Sequence, residues 1–249
     1  MTTVALLGLG EAGSRLAADM VAAGAEVRGY DPAAAVEIRG LTRARDTESA
    51  VAGSDVVLSV NSAAAAHGVA AAALPALGGA VYADLNTAAP ALKRELAGLV
   101  ERFADVALLG PVPANGLGTP ALASGPGAQA FADALVPLGM PVEVVSSEAG
   151  DAATLKLLRS VFMKGLAASA LESLDAADAA GQREWLEAQL SEVIGAPLLE
   201  RLVEGSRRHA ARRAEEMEAA RGLLLELGVE PRIASASAAL LAEMAAASR

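Results

Sequence analysis

Three glycines near the start of the chain, at positions 8, 10 and 13, most constrain what this sequence can fold into. They follow the apolar run "TVALL" and precede a stretch with helical periodicity, so they stand between a predicted strand and a predicted helix. In such a turn the first glycine permits a tight bend, the second lets a pyrophosphate approach the backbone, and the third lets the helix pack closely on the strand. The spacing therefore predicts a dinucleotide-binding loop, with a ligand-free glycine turn as the alternative. The loop is Gly8-Leu9-Gly10-Glu11-Ala12-Gly13.

An acidic residue stands where such a loop needs one. The next strand, "AEVRGYD", ends in Asp31, at about the 20-residue spacing expected of a carboxylate that accepts hydrogen bonds from the adenosine ribose. The alternative is that Asp31 and Pro32 only begin a turn. A carboxylate repels a 2′-phosphate, so the cofactor is predicted to be NAD. NADP stays possible because Arg28 and Arg39 are near in sequence.

The pattern of elements changes near residue 146. Before it, short apolar strands alternate with helical stretches, which is typical of a mostly parallel, doubly wound sheet. After it the sequence has no good strand candidate and reads as successive helices, one of them continuous over residues 197–228. We predict an α/β fold with an N-terminal Rossmann doubly wound sheet in residues 1–147 and an all-α C-terminal domain in residues 148–249.

Composition excludes several classes of partner. The formal net charge of -10 argues against nucleic acid, and the absence of cysteine excludes disulfides and thiolate ligands. His67 and His209 are too far apart for a zinc motif, so no metal is expected. Residues 56–83 carry no formal charge, but their prolines, glycines and polar residues fit strand, helix and strand better than a membrane span. No basic residue precedes the first apolar run, so a soluble, cytoplasmic protein is expected.

The first predicted helix of the second domain carries a candidate catalytic group. Lys156, Ser160 and Lys164 are spaced by four, which places them on one helical face among apolar neighbours. The charge of Lys164 would favour the neutral form of Lys156, which could then exchange a proton with a substrate hydroxyl. The alternative is a lysine that extends along the apolar surface to solvent.

Four segments in order resemble the β-hydroxyacid dehydrogenase superfamily, which includes 3-hydroxyisobutyrate, tartronate semialdehyde and 6-phosphogluconate dehydrogenases. They are "LLGLGEAGSRLA", "ADLNTAAP", "DVALLGPVPANGLGTPALASG" and "GDAATLKLLRS". The resemblance implies that Lys156 is the general acid/base and that Asn61 and Thr87 line the nicotinamide side. It also implies that the third segment, with Gly110, Pro111 and Val112, and the helix position Ser160 contact the substrate.

The sequence departs from that family where the substrate is held. Leu109-Gly110-Pro111 stands in place of Ser-Gly-Gly, Ser160 in place of asparagine, and Asn86 in place of serine. Leu109 has no hydroxyl and Pro111 has no backbone N–H, so a small carboxylate loses two donors. The chain resembles the branch with a "GPVP" loop and a 6-phosphogluconate-dehydrogenase-like C-terminal domain. A larger or less polar small-molecule substrate is expected, and any anionic group it carries is expected to be held instead by Lys164 or by residues 207–213.

A basic cluster, "RRHAARR" at residues 207–213, stands out in the acidic second domain. It could bind a substrate anion through Arg212 and His209, across the interface of an expected homodimer. The alternative is a solvated helix face paired with Glu215, Glu216 and Glu218. Trp185, the single tryptophan, is expected to anchor packing.

The expected activity is hydride transfer between a nicotinamide and a hydroxy acid, or its keto or semialdehyde form. Imine reductases share the architecture but usually have Asp or Tyr at the position of Lys156. A regulatory protein that binds NAD and catalyses nothing is the second alternative, against which the retained lysine counts.

Overall fold

The computed structural model describes residues 1–34 and 36–247, which form two compact units that divide between Lys156 and Leu157. This division falls inside a long helix, Asp151–Ala179, so the domain boundary expected at residue 147 stays a prediction. The last two residues of the predicted helical domain, 248–249, lie outside the described residues.

An eight-stranded sheet forms the centre of the N-terminal unit and confirms the predicted Rossmann-type fold. Its strands are β1 Thr3–Leu7, β2 Glu26–Tyr30, β3 Thr42–Arg43, β4 Val56–Ser59, β5 Val81–Asp84, β6 Phe103–Leu108, β7 Ala121–Ser124 and β8 Val142–Ser146. The strand order is β3-β2-β1-β4-β5-β6-β7-β8, and every neighbouring pair is parallel except the antiparallel β6 and β7. The two-residue β3 was not predicted, because so short a segment has no periodicity to detect.

Helices cover both faces of this sheet, so central strands such as β4 and β5 are buried at every residue. The helices of this unit are α1 Glu11–Ala22, α2 Thr47–Val51, α3 Ala63–Leu77, α4 Pro90–Leu99, α5 Val112–Asn115 and α6 Ala128–Leu135. In β1, Val4 and Leu6 belong to one core cluster, whereas Ala5 and Leu7 belong to the other. The uncharged stretch at 56–83 is therefore strand, helix and strand, and no helix of the described residues could span a membrane.

The topology places the candidate residues at one edge of the sheet. Strand β1 lies between β2 and β4, so β2 and β3 lie on one side of β1 and the later strands on the other, and open parallel sheets bind ligands at such a change of strand order. Residues that follow β1, β2, β4 and β5 all leave from the carboxyl ends of parallel strands. The glycine loop, Asp31, Asn61 and Thr87 consequently share this edge.

The C-terminal unit is helical, as predicted. Helix α7, Asp151–Ala179, begins in the N-terminal unit; the others are α8 Arg183–Ile194, α9 Ala196–Arg208, α10 Ala210–Glu226 and α11 Arg232–Ala247. The predicted continuous helix over 197–228 is wrong, because the backbone breaks at His209 (φ −126°, ψ 30°).

The packing role expected for Trp185 is also wrong, since this residue is 63% exposed. The partly buried hydrophobic residues of α8 are Leu186, Leu190 and Ile194, whose spacing of four defines the inner face. Trp185 lies one position, about 100° of helical rotation, away from that face.

Two helical glycines should respond oppositely to the same substitution. A Cβ at Gly13 would lie 2.0 Å from the carbonyl oxygen of Gly8, whereas a Cβ at Gly68, exposed in α3, meets nothing within 4 Å. We expect Gly13→Ala to lower the free energy of unfolding by about 1–3 kcal/mol through overpacking. Gly68→Ala should raise it by about 0.5–1 kcal/mol. Chemical denaturation measures both, and a Gly13→Ala variant as stable as the unmodified chain would contradict this account of the turn.

Candidate active site

Two glycines of the loop are required by the protein's own packing. Gly8 has φ +107°, and a Cβ there would lie 2.1 Å from the carbonyl oxygen of Val60, just after β4. At Gly13 a side chain has no room, because its Cβ would lie 2.0 Å from the carbonyl oxygen of Gly8. Close contact between β1, β4 and α1 therefore accounts for both positions, with no ligand involved.

Gly10 is different, because a Cβ there would meet no atom within 4 Å. It is the N-cap residue of α1, and no side chain of the described residues caps this helix end. The first backbone N–H groups of a helix carry a partial positive charge and need acceptors. Open space beside such donors fits the pyrophosphate of a dinucleotide, which uses the backbone of this turn and leaves no room for a side chain.

Asp31 is held rigidly beside this loop. Its Oδ2 accepts a hydrogen bond from the Leu9 N–H at 2.7 Å, and its Oδ1 accepts from the N–H groups of Ala33 and Ala34 at 2.8 and 3.1 Å. Partial burial opposes the charged form, but these three donors and the positive charge of Arg43 together outweigh it and lower the pKa of Asp31. The carboxylate is therefore ionised and fixed at the end of β2, as a ribose acceptor must be.

Arg43 is a candidate cofactor residue that the sequence analysis missed. Its guanidinium donates to the carbonyl oxygen of Asp31 at 2.7 Å and to that of Ala34. Arg28, which the sequence analysis considered instead, is paired with Glu26 at 2.9 Å. The missed signal is the pairing of β2 with the short β3, which brings Arg43 beside Asp31 and which spacing alone does not indicate.

The expected nicotinamide side is built from two asparagines, a threonine and the candidate lysine. Asn86 accepts from the Asn61 N–H at 2.6 Å through Oδ1 and donates to Asn61 Oδ1 at 3.0 Å through Nδ2. Lys156 Nζ donates to Thr87 Oγ1 at 2.7 Å. The structure thus brings Thr87 and Lys156 together although 69 positions separate them in sequence.

The predicted substrate loop is fixed against helix α1. Arg15 donates to the Pro113 carbonyl at 3.3 Å, and Asp19 accepts from the Leu117 N–H at 2.9 Å. Within the loop, the Leu109 N–H donates to the Pro120 carbonyl at 2.8 Å. Leu109 therefore offers a substrate neither a hydroxyl nor a free N–H, and Pro111 has no N–H at all.

In the C-terminal unit, Ser160 and Lys164 both contact Glu216, which the sequence analysis had assigned only to a surface face. Lys164 Nζ donates to Glu216 Oε1 at 2.8 Å, and the Ser160 hydroxyl donates to the same oxygen. Burial lowers the pKa of Lys164 by more than the charge of Glu216 raises it. The Lys164 ammonium therefore already has a carboxylate partner, which weakens its expected role as an anion-binding group.

The basic cluster divides among different environments. Arg207 pairs with Glu204 at 2.9 Å, and Arg213 donates to the Ser206 hydroxyl at 2.6 Å; burial lowers the pKa of Arg213. Arg212 is exposed on α10. Arg213 is partly buried and interacts electrostatically with Glu216, whereas Arg212 is exposed, so the cluster does not form a single solvated face.

In the described part of the chain, no three His, Asp or Glu side chains are grouped so that they could hold a metal ion.

Two family models match the chain. Residues 3–113 match the NAD binding domain of 6-phosphogluconate dehydrogenase, and residues 177–244 match a domain of unknown function, DUF1932. A curated relative from Methanothermus fervidus, an uncharacterized 28.5 kDa protein, is 32% identical over 156 residues. That match covers 61% of this chain and 61% of the relative's length.

Solved structures share the fold over nearly the whole chain. A conserved hypothetical protein from Sinorhizobium meliloti 1021 is 32% identical, with a TM-score of 0.74 over 97% of this chain and 88% of that one. Mycobacterium tuberculosis 3-hydroxyisobutyrate dehydrogenase, solved with L-serine, is 22% identical, with a TM-score of 0.81 over 99% and 94%. An imine reductase from Streptomyces aurantiacus is also 22% identical, with a TM-score of 0.68 over 99% and 95%.

Proposed function

The chain belongs to the β-hydroxyacid dehydrogenase and 6-phosphogluconate dehydrogenase-like superfamily, and we propose on that basis that it is an NAD(P)-dependent oxidoreductase. The observation that carries the proposal is the hydrogen bond between Lys156 Nζ and Thr87 Oγ1 at 2.7 Å. It holds a titratable amine at the carboxyl edge of a sheet whose glycine loop leaves space for a pyrophosphate. The substrate class is a hydroxy acid or its keto or semialdehyde form.

The chain's own residues divide the work as follows. The backbone of the Gly8–Gly13 loop and the Asp31 carboxylate would hold the dinucleotide, and Asn61 and Thr87 would line its nicotinamide end. A bound nicotinamide supplies or accepts the hydride. Lys156 as an ammonium donates a proton to the carbonyl oxygen of the substrate, and as a neutral amine it takes the hydroxyl proton in the reverse direction. Thr87 fixes the position of the amine, because its hydroxyl oxygen accepts a hydrogen bond from Lys156 Nζ.

We propose NAD as the preferred dinucleotide. The ionised Asp31 carboxylate favours a free ribose 2′-hydroxyl and repels a 2′-phosphate. Arg43 works in the opposite direction, but its guanidinium already donates to the carbonyls of Asp31 and Ala34. To bind a 2′-phosphate it would have to give up those hydrogen bonds.

The substrate is proposed to be larger or less polar near residues 109–111 than 3-hydroxyisobutyrate or tartronate semialdehyde. A buried carboxylate short of donors loses about 1–3 kcal/mol for each missing partner, and more when it is charged. Leu109 and Pro111 supply no donor, because the Leu109 N–H is taken by Pro120 and proline has none.

Reduction of an imine is the second candidate function, favoured by the same apolar loop, since a neutral or cationic imine needs no carboxylate clamp. Lys156 counts against it, because a cationic ammonium repels an iminium substrate. A regulatory protein that only binds the dinucleotide would have no use for an amine held at this edge of the sheet.

A variant that keeps the charge of Lys156 but cannot release a proton tests its role. We expect Lys156→Arg and Lys156→Ala each to lower turnover by about 10²–10⁴-fold, because arginine does not deprotonate at accessible pH. Dinucleotide affinity should stay nearly unchanged in both. The assay is steady-state kinetics with NAD(H) and NADP(H) on a panel of hydroxy acids, semialdehydes and imines.

The panel separates the competing functions. Turnover confined to imines would favour the imine reductase function. Near-normal turnover by Lys156→Arg would show that Lys156 does not transfer the proton and only extends to solvent. Efficiency of about 10⁴ M⁻¹s⁻¹ or more on 3-hydroxyisobutyrate would overturn the substrate argument from residues 109–111.

The proposed cofactor preference can be measured without a substrate. Fluorescence titration should show tighter binding of NADH than of NADPH, and Asp31→Asn should narrow the ratio of the two dissociation constants. The ratio is the informative quantity, because Asp31 also accepts the hydrogen bond from the Leu9 N–H. Loss of that hydrogen bond would weaken the binding of NADH and NADPH equally and leave their ratio unchanged. Asp46→Asn, which alters a helix-capping aspartate at α2, is the matched control and should leave the ratio unchanged. Tighter binding of NADPH by the unmodified chain would refute the preference.

A further inference from the structure

Three charged side chains are buried together beneath the candidate site. Lys93 of α4 is 1% exposed, and both Asp84 at the end of β5 and Asp105 in β6 are fully buried. Lys93 Nζ lies 2.6 Å from Asp84 Oδ2 and 3.1 Å from Asp105 Oδ1. Burial alone would lower the pKa of Lys93, but the two carboxylates outweigh it and raise that pKa, so the ammonium stays charged. We call these residues the 84–93–105 cluster.

The cluster contains one more negative charge than positive, and the start of α7 compensates for it. Asp105 Oδ2 accepts from the N–H groups of Gly150 and Ala153 at 3.2 and 2.9 Å. Ser124 completes the arrangement, since its hydroxyl donates to Asp105 at 3.3 Å and accepts from the Ala152 N–H at 3.0 Å. Helix N-termini stabilise negative charge, so a residue of β6 acts as the acceptor for the first turn of the helix that carries Lys156.

The other carboxylate fixes the segment that carries Thr87. Lys93 Nζ donates to the backbone carbonyl of Asp84 at 2.8 Å as well as to its side chain. Asp84 Oδ1 accepts from Asn86 Nδ2 at 2.5 Å, and Asn86 in turn holds Asn61. Thr87 follows Asn86 directly, so its backbone position depends on contacts made by Asp84.

Stability is a poor reason for this arrangement. Removing charges from water costs so much that a buried ion pair is often replaced by apolar residues of similar size with no loss of stability. Geometry is a better reason, because ion pairs and hydrogen bonds fix directions that apolar packing does not. Each carboxylate of the cluster holds one of the two segments that meet in the Lys156–Thr87 hydrogen bond.

We propose that Lys93, Asp84 and Asp105 are positioning residues that set Lys156 against Thr87. Asp105 fixes the first turn of α7, Asp84 fixes residues 84–87, and Lys93 locks the two carboxylates to each other. The proposal rests on the proposed role of Lys156 for its catalytic meaning, but the positioning itself can be measured without catalysis.

The small number of lysines makes Lys156 observable. The sequence has three lysines, at positions 93, 156 and 164. Reductive methylation with ¹³C-formaldehyde labels accessible lysines and the N-terminus and keeps their charge, and Lys156→Arg identifies the Lys156 resonance. The readout is the change in that resonance caused by Thr87→Val, which removes the hydroxyl acceptor.

Asp105→Asn is the decisive variant. Asparagine keeps the shape but replaces one oxygen by an amide, so an N–H must face either Lys93 or the N–H groups of α7. In the unmodified chain, Thr87→Val should change the chemical shift of the Lys156 resonance. In a chain that already carries Asp105→Asn, the same substitution should change that chemical shift only slightly. Backbone amide exchange at Ala153 should also speed up by about ten- to a hundredfold, the loss expected for a hydrogen bond to a charged acceptor.

Asp46→Asn is the matched control, because Asp46 also accepts a backbone N–H at a helix start, from Ser49 at 2.7 Å, but at the partly exposed start of α2. In that background Thr87→Val should act as in the unmodified chain. The proposal is overturned if Thr87→Val has no effect on the unmodified chain, or has its full effect after Asp105→Asn. If Asp105→Asn does not fold, Ser124→Ala, which removes the acceptor of the Ala152 N–H, decides by the same comparison. Since no dinucleotide or substrate is used, failure of the proposed activity would not alter this outcome.

Discussion

The burial of Lys93 between Asp84 and Asp105 is the interaction on which the candidate site depends most. Three charges without water are tolerable only when ion pairs and hydrogen bonds replace the lost solvation. Here the first backbone N–H groups of α7 donate to Asp105 Oδ2 and Asn86 donates to Asp84, whereas Asp105 Oδ1 has the 3.1 Å ion pair with Lys93 and no hydrogen bond within the described residues. The requirement to satisfy the charges thereby determines where these segments lie.

The same network extends across the carboxyl edge of the sheet. Asn86 binds Asn61, and Asn61 Nδ2 donates to Ser59 at 3.0 Å and approaches the carbonyl oxygen of Leu7 at 3.4 Å. Leu7 ends β1 directly before the glycine loop, whose first glycine contacts Val60. The ends of β1, β4 and β5 and the start of α7 are therefore linked by polar contacts.

Much of the fold was predictable because glycine spacing and apolar periodicity are local signals. The turn after β1, the strand ending in Asp31 and the helical C-terminal unit follow from them. Partners distant in sequence do not: Lys93 in "PALKRELA" reads as an ordinary surface lysine, and Arg43 lies on a strand of two residues. Asp105 did give a signal, since a carboxylate inside an apolar strand needs a buried partner. The break at His209 and the exposure of Trp185 depend on tertiary packing that periodicity does not report.

The residues that we propose contact the substrate are those in which the chain departs most from its superfamily. Leu109 and Pro111 offer no donors, and Lys164 is engaged by Glu216. We propose that, whatever the substrate is, hydride passes at the carboxyl edge while Lys156 handles the proton. The most direct measurement follows deuterium from C4 of reduced dinucleotide into products, by mass spectrometry across the carbonyl and imine panel. The account predicts a product with one deuterium on the former carbonyl or imine carbon. A reduced dinucleotide that binds to the protein but keeps its deuterium with every compound of the panel would contradict it.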